Sequence, residues 1–258
     1  MTTVPQFDLT GRVALVTGAS SGFGAHFSRL LAAAGAAVVM GARRADRLAA
    51  LEAEIRAAGG KALAVSLDVA DEAATIAAYD AAEAAFGTVD TIVANAGIAD
   101  DQLALKVDMD SFDRVIATNL RGPFLTVREG AKRLIAAGSQ EKENGRVVII
   151  GSITAKKAFP GSTPYSATKA GVTQMARLMA REWARKGINV NVIEPGYFPT
   201  EITGELMESE LGDVLLKTFP RRRWCEIPAM DVPLLYLCSD LSRYVTGSTI
   251  TVDDGQLL

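Results

Sequence analysis

The sequence is poor in the residues that build metal and disulfide sites. Its 258 residues include two cysteines, Cys225 and Cys238, and one histidine, His26. The cysteines lack metal-ligand spacing, which argues against both a structural zinc site and a disulfide framework. Proline is scarce at nine residues and charged residues make up 22%, a balance foreign to disordered chains. No apolar run approaches the roughly 18 residues of a membrane span. The leading MTTVPQFDLTGR has no basic stretch followed by an apolar one, so it does not read as a secretory signal. A large excess of charge of either sign is also missing. The formal net charge is -3, and the densest basic run, Arg221-Arg222-Arg223, is too short to carry a nucleic-acid reading. These absences lead us to expect a soluble, cytoplasmic protein with no metal, nucleic-acid or membrane partner.

What is present is a large apolar fraction, 49%, arranged in short β-branched runs that alternate with longer Ala- and Leu-rich stretches. The runs at 13–18, 36–42, 61–68, 89–97, 146–152, 188–196 and 248–254 read as strands. The stretches 23–34, 45–58, 71–86, 111–137, 164–186 and 229–239 read as helices, with a mixed helical excursion over about 200–224. Strand and helix alternate at βαβ spacing, and strands apolar on both faces suit a parallel sheet covered on both sides. No repeat or linker divides the chain. Residues 1–258 are therefore expected to form a single doubly wound α/β domain.

The first strand ends in TGASSGFG, residues 17–24, with Gly18, Gly22 and Gly24 ahead of the first helix. A glycine turn lets backbone approach a pyrophosphate, and the helix N-terminus stabilises its charge. This loop, with Ser20, Ser21 and Phe23, is the expected dinucleotide cradle. No Gly-Lys-Ser/Thr follows, which disfavours a kinase-type phosphate loop. The second strand ends Gly41-Ala42-Arg43-Arg44, with no acid before Asp46. Two guanidinium groups suit a 2'-phosphate, so NADP(H) is expected in preference to NAD(H). The bland alternative is a solvated pair opening a helix, where the dipole offers an arginine nothing. Asp68, followed by Val69, suits a bond from the adenine amino group or an N-cap for the next helix. Asn95, Ala96 and Gly97 close the fourth strand with a backbone that permits close approach.

Tyr165 and Lys169 stand four apart after Pro164, on one face of a helix start. A ketone gaining hydride needs a proton at its oxygen. A free phenol has a pKa near 10, and a nearby ammonium draws it down toward useful acid–base range. Ser152, at a strand end, offers a hydroxyl toward the same oxygen. Taken singly, each residue has a plainer reading: a packed tyrosine, a solvated lysine, a turn serine. Asn119, ahead of Gly122-Pro123, could equally satisfy a kinked backbone.

Taken together and in order, TGASSGFG, Asn95-Ala96-Gly97, Asn119, Ser152, YSATK at 165–169 and PGYFPT at 195–200 resemble the classical short-chain dehydrogenase/reductase family across nearly the whole length. That likeness implies a Rossmann-like fold with a seven-stranded parallel sheet, NADP(H)-dependent hydride transfer, and assembly as a homodimer or homotetramer. It casts Tyr165 as general acid and base, Lys169 as holder of the nicotinamide ribose and tuner of the phenol, Ser152 as carbonyl orienter, and Asn119 as anchor of a water. Thr17 and Asn95 fall near the cofactor, and Pro195, Gly196, Phe198 (through its backbone) and Thr200 on its nicotinamide side. The chain departs from the pattern at Gly151, where many members have a second serine, at Glu194, where a small residue is commoner, and in TVDDGQLL at the end.

The segment 197–224 is expected to form a substrate lid. Ile153, Thr154, Phe159 and the loop 98–105 are expected as the opposite, apolar wall, with no fixed charge. A carbonyl reductase or alcohol dehydrogenase acting on a hydrophobic ketone is the favoured reading. A reductase of 3-oxoacyl thioesters on acyl carrier protein or coenzyme A is the alternative, and a non-catalytic NADP-binding regulator a third. The helices around 111–137 and 164–186 are the expected subunit contacts.

Overall fold

The structure, a computed structural model, describes residues 6–258; the secretory-signal reading rests partly on residues outside these. The chain runs β1 (Val13–Thr17), α1 (Gly22–Ala33), β2 (Ala37–Ala42), α2 (Ala45–Ala57), β3 (Lys61–Ser66), α3 (Glu72–Phe86) and β4 (Thr91–Ala94). It continues through α4 (Met109–Ile116), α5 (Gly122–Ala136), the single turn α6 (Ser139–Lys142), β5 (Gly145–Ile150), α7 (Thr163–Trp183) and β6 (Ile188–Pro195). Two short helices, α8 (Gly204–Met207) and α9 (Glu210–Thr218), precede α10 (Asp231–Cys238) and β7 (Thr249–Val252).

Seven parallel strands form one sheet in the order β3-β2-β1-β4-β5-β6-β7. Side chains alternate across a strand, and that alternation divides the core. Ala14, Val16, Val38, Met40, Val93, Val148 and Ile193 face one way, where they meet Phe27 and Leu31 of α1, Leu48, Leu51 and Ile55 of α2, and Leu234 and Leu237 of α10. Val13, Leu15, Val39, Ile92, Val147, Ile149 and Val190 face the other, against Tyr79 of α3, Val127 and Leu134 of α5, and Val172 and Met179 of α7. Gly130 lets α5 approach closely: a Cβ there would lie 2.3 Å from Ile92 Cδ1. The buried Tyr79 hydroxyl donates to Thr126 O at 2.8 Å.

β1 pairs with β2 on one side and β4 on the other. The loops leaving β1 and β4 therefore diverge, and a crevice opens at the carboxyl ends of the strands.

Several elements differ from their sequence reading. The expected helix 111–137 is two helices joined by a π-helical turn over Ala117–Arg121, with Asn119 inside it. The fourth strand stops at Ala94, because Asn95 and Ala96 turn their amides to the Thr17 hydroxyl, both at 3.1 Å. The N-cap of α3 is Asp71, which accepts from Ala73 N at 2.8 Å, while Asp68 makes its own tight turn to Ala70 N at 3.0 Å. That removes the capping alternative for Asp68. No helix among the described residues is long and apolar enough to cross a membrane.

Candidate active site

A cleft of about 610 Å³ lies over the carboxyl ends of β1, β2, β4, β5 and β6. Its glycine turn is built as a cradle. Gly18 and Gly22 have φ of +67° and +50°, in the region glycine alone enters freely. A Cβ on Gly24 would sit 2.2 Å from Gly18 O, and one on Gly18 2.8 Å from Ala96 Cα, so neither position admits a side chain. Thr17 and Asn95 clasp the two loops from behind: besides the two bonds to the Thr17 hydroxyl, Asn95 Nδ2 donates to Thr17 O at 2.9 Å. Phe23 packs edge-on against Phe198 with ring centres 5.1 Å apart, tying the start of α1 to the segment after β6.

Arg43 and Arg44 follow β2 at the cleft rim. Arg43 is exposed and makes no ion pair or hydrogen bond among the described residues. Arg44 donates through Nε to Ser20 Oγ at 3.0 Å and through Nη2 to Ser21 Oγ at 2.6 Å. It also pairs with Glu201 at 2.9 Å. Glu201 accepts a second guanidinium, Arg47, and the Ser21 hydroxyl at 2.7 Å. These donors, Arg47 and Ser21 first, hold its carboxyl down at about 2. Sequence reading missed Glu201 because its partners lie far away along the chain, on α2 and the glycine loop.

Further along the cleft, Ser152, Tyr165 and Lys169 line it together with Pro195, Gly196, Phe198 and Thr200. Ser152 leaves β5 in extended conformation, and its Oγ accepts from Thr154 N at 3.2 Å and from Thr154 Oγ1 at 3.0 Å. Lys169 is buried, and its Nζ donates to Ile150 O at 2.8 Å. The ammonium lies 5.5 Å from the centre of the Tyr165 ring. Burial pulls the lysine down to about 8. Burial also pushes the phenol up to about 12, while the neighbouring Ser152 hydroxyl draws it back and Asp101 adds to the rise. Where the sequence led us to expect a phenol lowered by its lysine, burial raises it.

Asn119 is buried beside Lys169 rather than lining the cleft. Its Oδ1 accepts from Ile98 N at 2.9 Å, and its Nδ2 donates to Ile98 O at 2.8 Å. A Cβ on Gly97 would meet Asn119 Oδ1 at 3.5 Å and Lys169 Nζ at 3.6 Å. Of the residues singled out in the sequence, Thr17, Gly24 and Asn119 lie behind the cleft surface. Gly18, Ser20, Ser21, Gly22, Phe23, Arg43, Arg44, Asp68, Val69, Asn95, Ala96 and Gly97 line it.

The substrate end differs more from its sequence reading. Ile153 is 1% exposed and belongs to the core, not to the wall. Leu103 and Leu105 point to solvent. Phe159, Tyr197, Phe219 and Trp224 form an aromatic group, with Tyr197 5.5 Å from Phe159 and 6.0 Å from Trp224. Nor is this end free of charge. The Asp101 carboxyl, raised by burial and then by Asp100, makes ionisation of both Tyr165 and Tyr197 harder. Arg221 and Arg223 both pair with Asp254, at 3.4 and 2.7 Å. His26 lies outside the site, with Nε2 2.6 Å from Asp231 Oδ1 across α1 and α10. Cys225 and Cys238 are buried free thiols.

Fold and cleft together define a doubly wound α/β protein with a phenol, an ammonium and a hydroxyl lining the cleft over its parallel sheet. The short chain dehydrogenase family matches residues 12–211, and the chain belongs to that family, whose members are oxidoreductases of carbonyl and alcohol groups. It is 38% identical over 247 residues to cis-4-hydroxycyclohexanecarboxylate dehydrogenase of Sinomonas cyclohexanicum, covering 95% of this chain and 96% of that one. To the 3-oxoacyl-(acyl-carrier-protein) reductase of Escherichia coli it is 33% identical over 248 residues, covering 96% and 98%. The solved gluconate 5-dehydrogenase of Burkholderia cenocepacia, in complex with NADP and tartrate, superposes with a TM-score of 0.91 at 35% identity, covering 97% of each chain.

Proposed function

We propose that the protein is an NADP(H)-dependent carbonyl reductase or alcohol dehydrogenase for a ketone or secondary alcohol on a hydrophobic body. The observation that carries this reading is the convergence of Ser152, Tyr165 and Lys169 on one wall of a cleft whose far end carries Arg43 and Arg44. The glycine cradle fits a pyrophosphate, and the exposed Arg43 fits a 2'-phosphate. The bound nicotinamide supplies the hydride. Tyr165, protonated across the physiological range, donates its proton to the developing alkoxide. Ser152 donates a hydrogen bond to the same oxygen. Lys169 holds the ribose and keeps positive charge beside the phenol. Asn119 holds the loop at Ile98 against Lys169.

The aromatic group around Tyr197 supports the substrate class. Tyr197, Phe159 and Trp224 offer apolar surface, and the Asp101 carboxyl beside Tyr165 disfavours an anionic group there. The likeness to a 3-oxoacyl-(acyl-carrier-protein) reductase supports an acyl-thioester substrate as the second reading. An acidic carrier protein would need free basic surface at the mouth, and the Asp254 pairs neutralise part of the Arg221–Arg223 run. The free ketone is therefore preferred. Assembly as a homodimer or homotetramer is supported by exposed Phe124, Ile135 and Leu178 on α5 and α7.

The test is NADPH oxidation followed at 340 nm with aryl and cyclic ketones, acetoacetyl-CoA and an acyl-carrier-protein thioester, each repeated with NADH. Free ketones are expected to turn over best with NADPH. A preference of about a hundredfold for thioesters, roughly 2.7 kcal/mol of transition-state binding, would instead establish the second reading.

A further inference from the structure

Two of the positions at which this chain departs from its family pattern touch one another. Gly151 and Glu194 sit at the carboxyl ends of β5 and β6, strands that pair directly. A Cβ on Gly151 would lie 2.9 Å from Glu194 Cγ and 3.0 Å from Val192 Cγ1, closer than packed carbons approach. Glu194 Cγ, with Val192 Cγ1, thus occupies the space that a serine at 151 would need, which couples positions 151 and 194 sterically.

The Glu194 carboxylate is fully buried, at 0% side-chain exposure. A charge so placed needs partners, and it has one hydrogen bond and one ion pair, with Oε2 out of hydrogen-bond alignment. Oε1 accepts from Thr173 Oγ1 at 3.0 Å, and Oε2 lies 2.6 Å from Lys156 Nζ. Both partners lead into the active site. Thr173 lies one turn beyond Lys169 on α7, and its hydroxyl also faces Lys169 O at 3.0 Å. Lys156 closes the turn that begins at Ser152, with its amide bonded to Ile153 O at 3.0 Å. Its Nζ also reaches Thr251 Oγ1 on β7 at 3.1 Å. The Ser152 hydroxyl accepts from Thr154 N and Oγ1 in that turn and neighbours the Tyr165 phenol, so its aim depends on the turn's position.

We propose that Glu194, seated in the space Gly151 leaves, is a positioning residue that anchors Lys156 and thereby sets the turn that aims Ser152. The proposal rests on the reductase reading of the site. It gives Glu194 no contact with substrate or cofactor; the carboxylate acts through the turn.

The test is a pair of mutant cycles. In the kinetic cycle, Glu194→Ala and Lys156→Met should each lower kcat about tenfold or more, since small misplacements of an orienting group have effects of that order. The KM for NADPH should stay within about twofold, because the cradle is remote from the turn. The double variant should lose no more than either single one. Glu194→Gln, which keeps the side-chain shape and an acceptor for Thr173, should recover part of the loss. In the thermal cycle, which needs no activity, Gly151→Ser should lower Tm, and adding Glu194→Ala should restore much of it. Wild-type kcat in Glu194→Ala, or fully additive kcat losses, would overturn the positioning role while leaving the reductase reading intact. Additive Tm shifts would overturn the Gly151–Glu194 dependence. A wild-type chain inactive on every carbonyl and alcohol would defeat the reductase reading and the catalytic role with it, leaving the steric dependence to the thermal cycle.

Discussion

The Lys169 ammonium lies 5.5 Å from the centre of the Tyr165 ring, one helical turn away, and donates a hydrogen bond to Ile150 O. In the proposed reaction Tyr165 is the proton donor to the substrate oxygen. Tyr165→Phe should lower kcat by at least about 10²–10⁴-fold and leave the Kd for NADPH, read by fluorescence quenching, nearly unchanged. Retained turnover would remove Tyr165 from the mechanism.

Lys169 is a stability liability near neutral pH. Burial lowers its pKa from 10.5 to about 8, so the folded state releases a proton that the unfolded state keeps. Stability then rises with pH between those values. Below pH 8 both states are charged and the full cost is present, about 3 kcal/mol at most. Lys169→Met also strands the Ile150 carbonyl, which offsets roughly 1–2 kcal/mol. The variant should melt a few degrees higher than wild type at pH 7, with the gain shrinking as pH approaches 10.5, and should be inactive. In the wild type, ketone reduction should decline as pH passes about 8, where the charge beside the phenol is lost.

Arg44 is already engaged by Glu201, whereas Arg43 has no partner among the described residues. A 2'-phosphate must compete with Glu201 for Arg44. Arg43→Ala should raise the KM for NADPH about tenfold or more, the worth of a charge-assisted contact, with little effect on NADH. Glu201→Gln should act oppositely and tighten NADPH several-fold. Equal effects on both cofactors would show that these residues do not read the phosphate.

Gly24 faces Gly18 O at 2.2 Å from where a Cβ would stand. Gly24→Ala must push the cradle apart. We expect a loss of about 1–3 kcal/mol from overpacking and an NADPH Kd weakened in step. Asp71→Ala serves as a contrast: losing the N-cap of α3 should cost about 1 kcal/mol and leave kinetic constants unchanged. Urea melts and cofactor titrations on both variants would check this.

Much of the site was legible because its chemistry is carried by short local patterns. The glycine turn, the arginines closing β2 and the Tyr165–Lys169 pair each rest on residues within one turn or loop, and strand and helix periods placed them. Pairings across the fold were not legible. Nothing near Glu201 in sequence points to Arg44, and nothing near Gly151 points to Glu194. The π-helical turn at Asn119 escaped for a related reason. The composition of 111–137 is helical throughout, and the interruption comes from the bonds Asn119 makes with Ile98 on a distant loop. The wall assigned to Ile153 failed because an apolar side chain after a strand suits a pocket and a core equally well.

From its sequence alone, this protein was committed to a doubly wound parallel sheet, to a dinucleotide cradle after the first strand and to a phenol and ammonium on one helix face. Those are consequences of hydrophobic period, glycine conformational freedom and helical repeat, all of which act over a few residues. Tertiary packing alone set the direction in which that pair's pKa values move, since burial raises the phenol and lowers the lysine. It also seated Glu194 in the space beside Gly151, because excluded volume and desolvation depend on which distant segments meet.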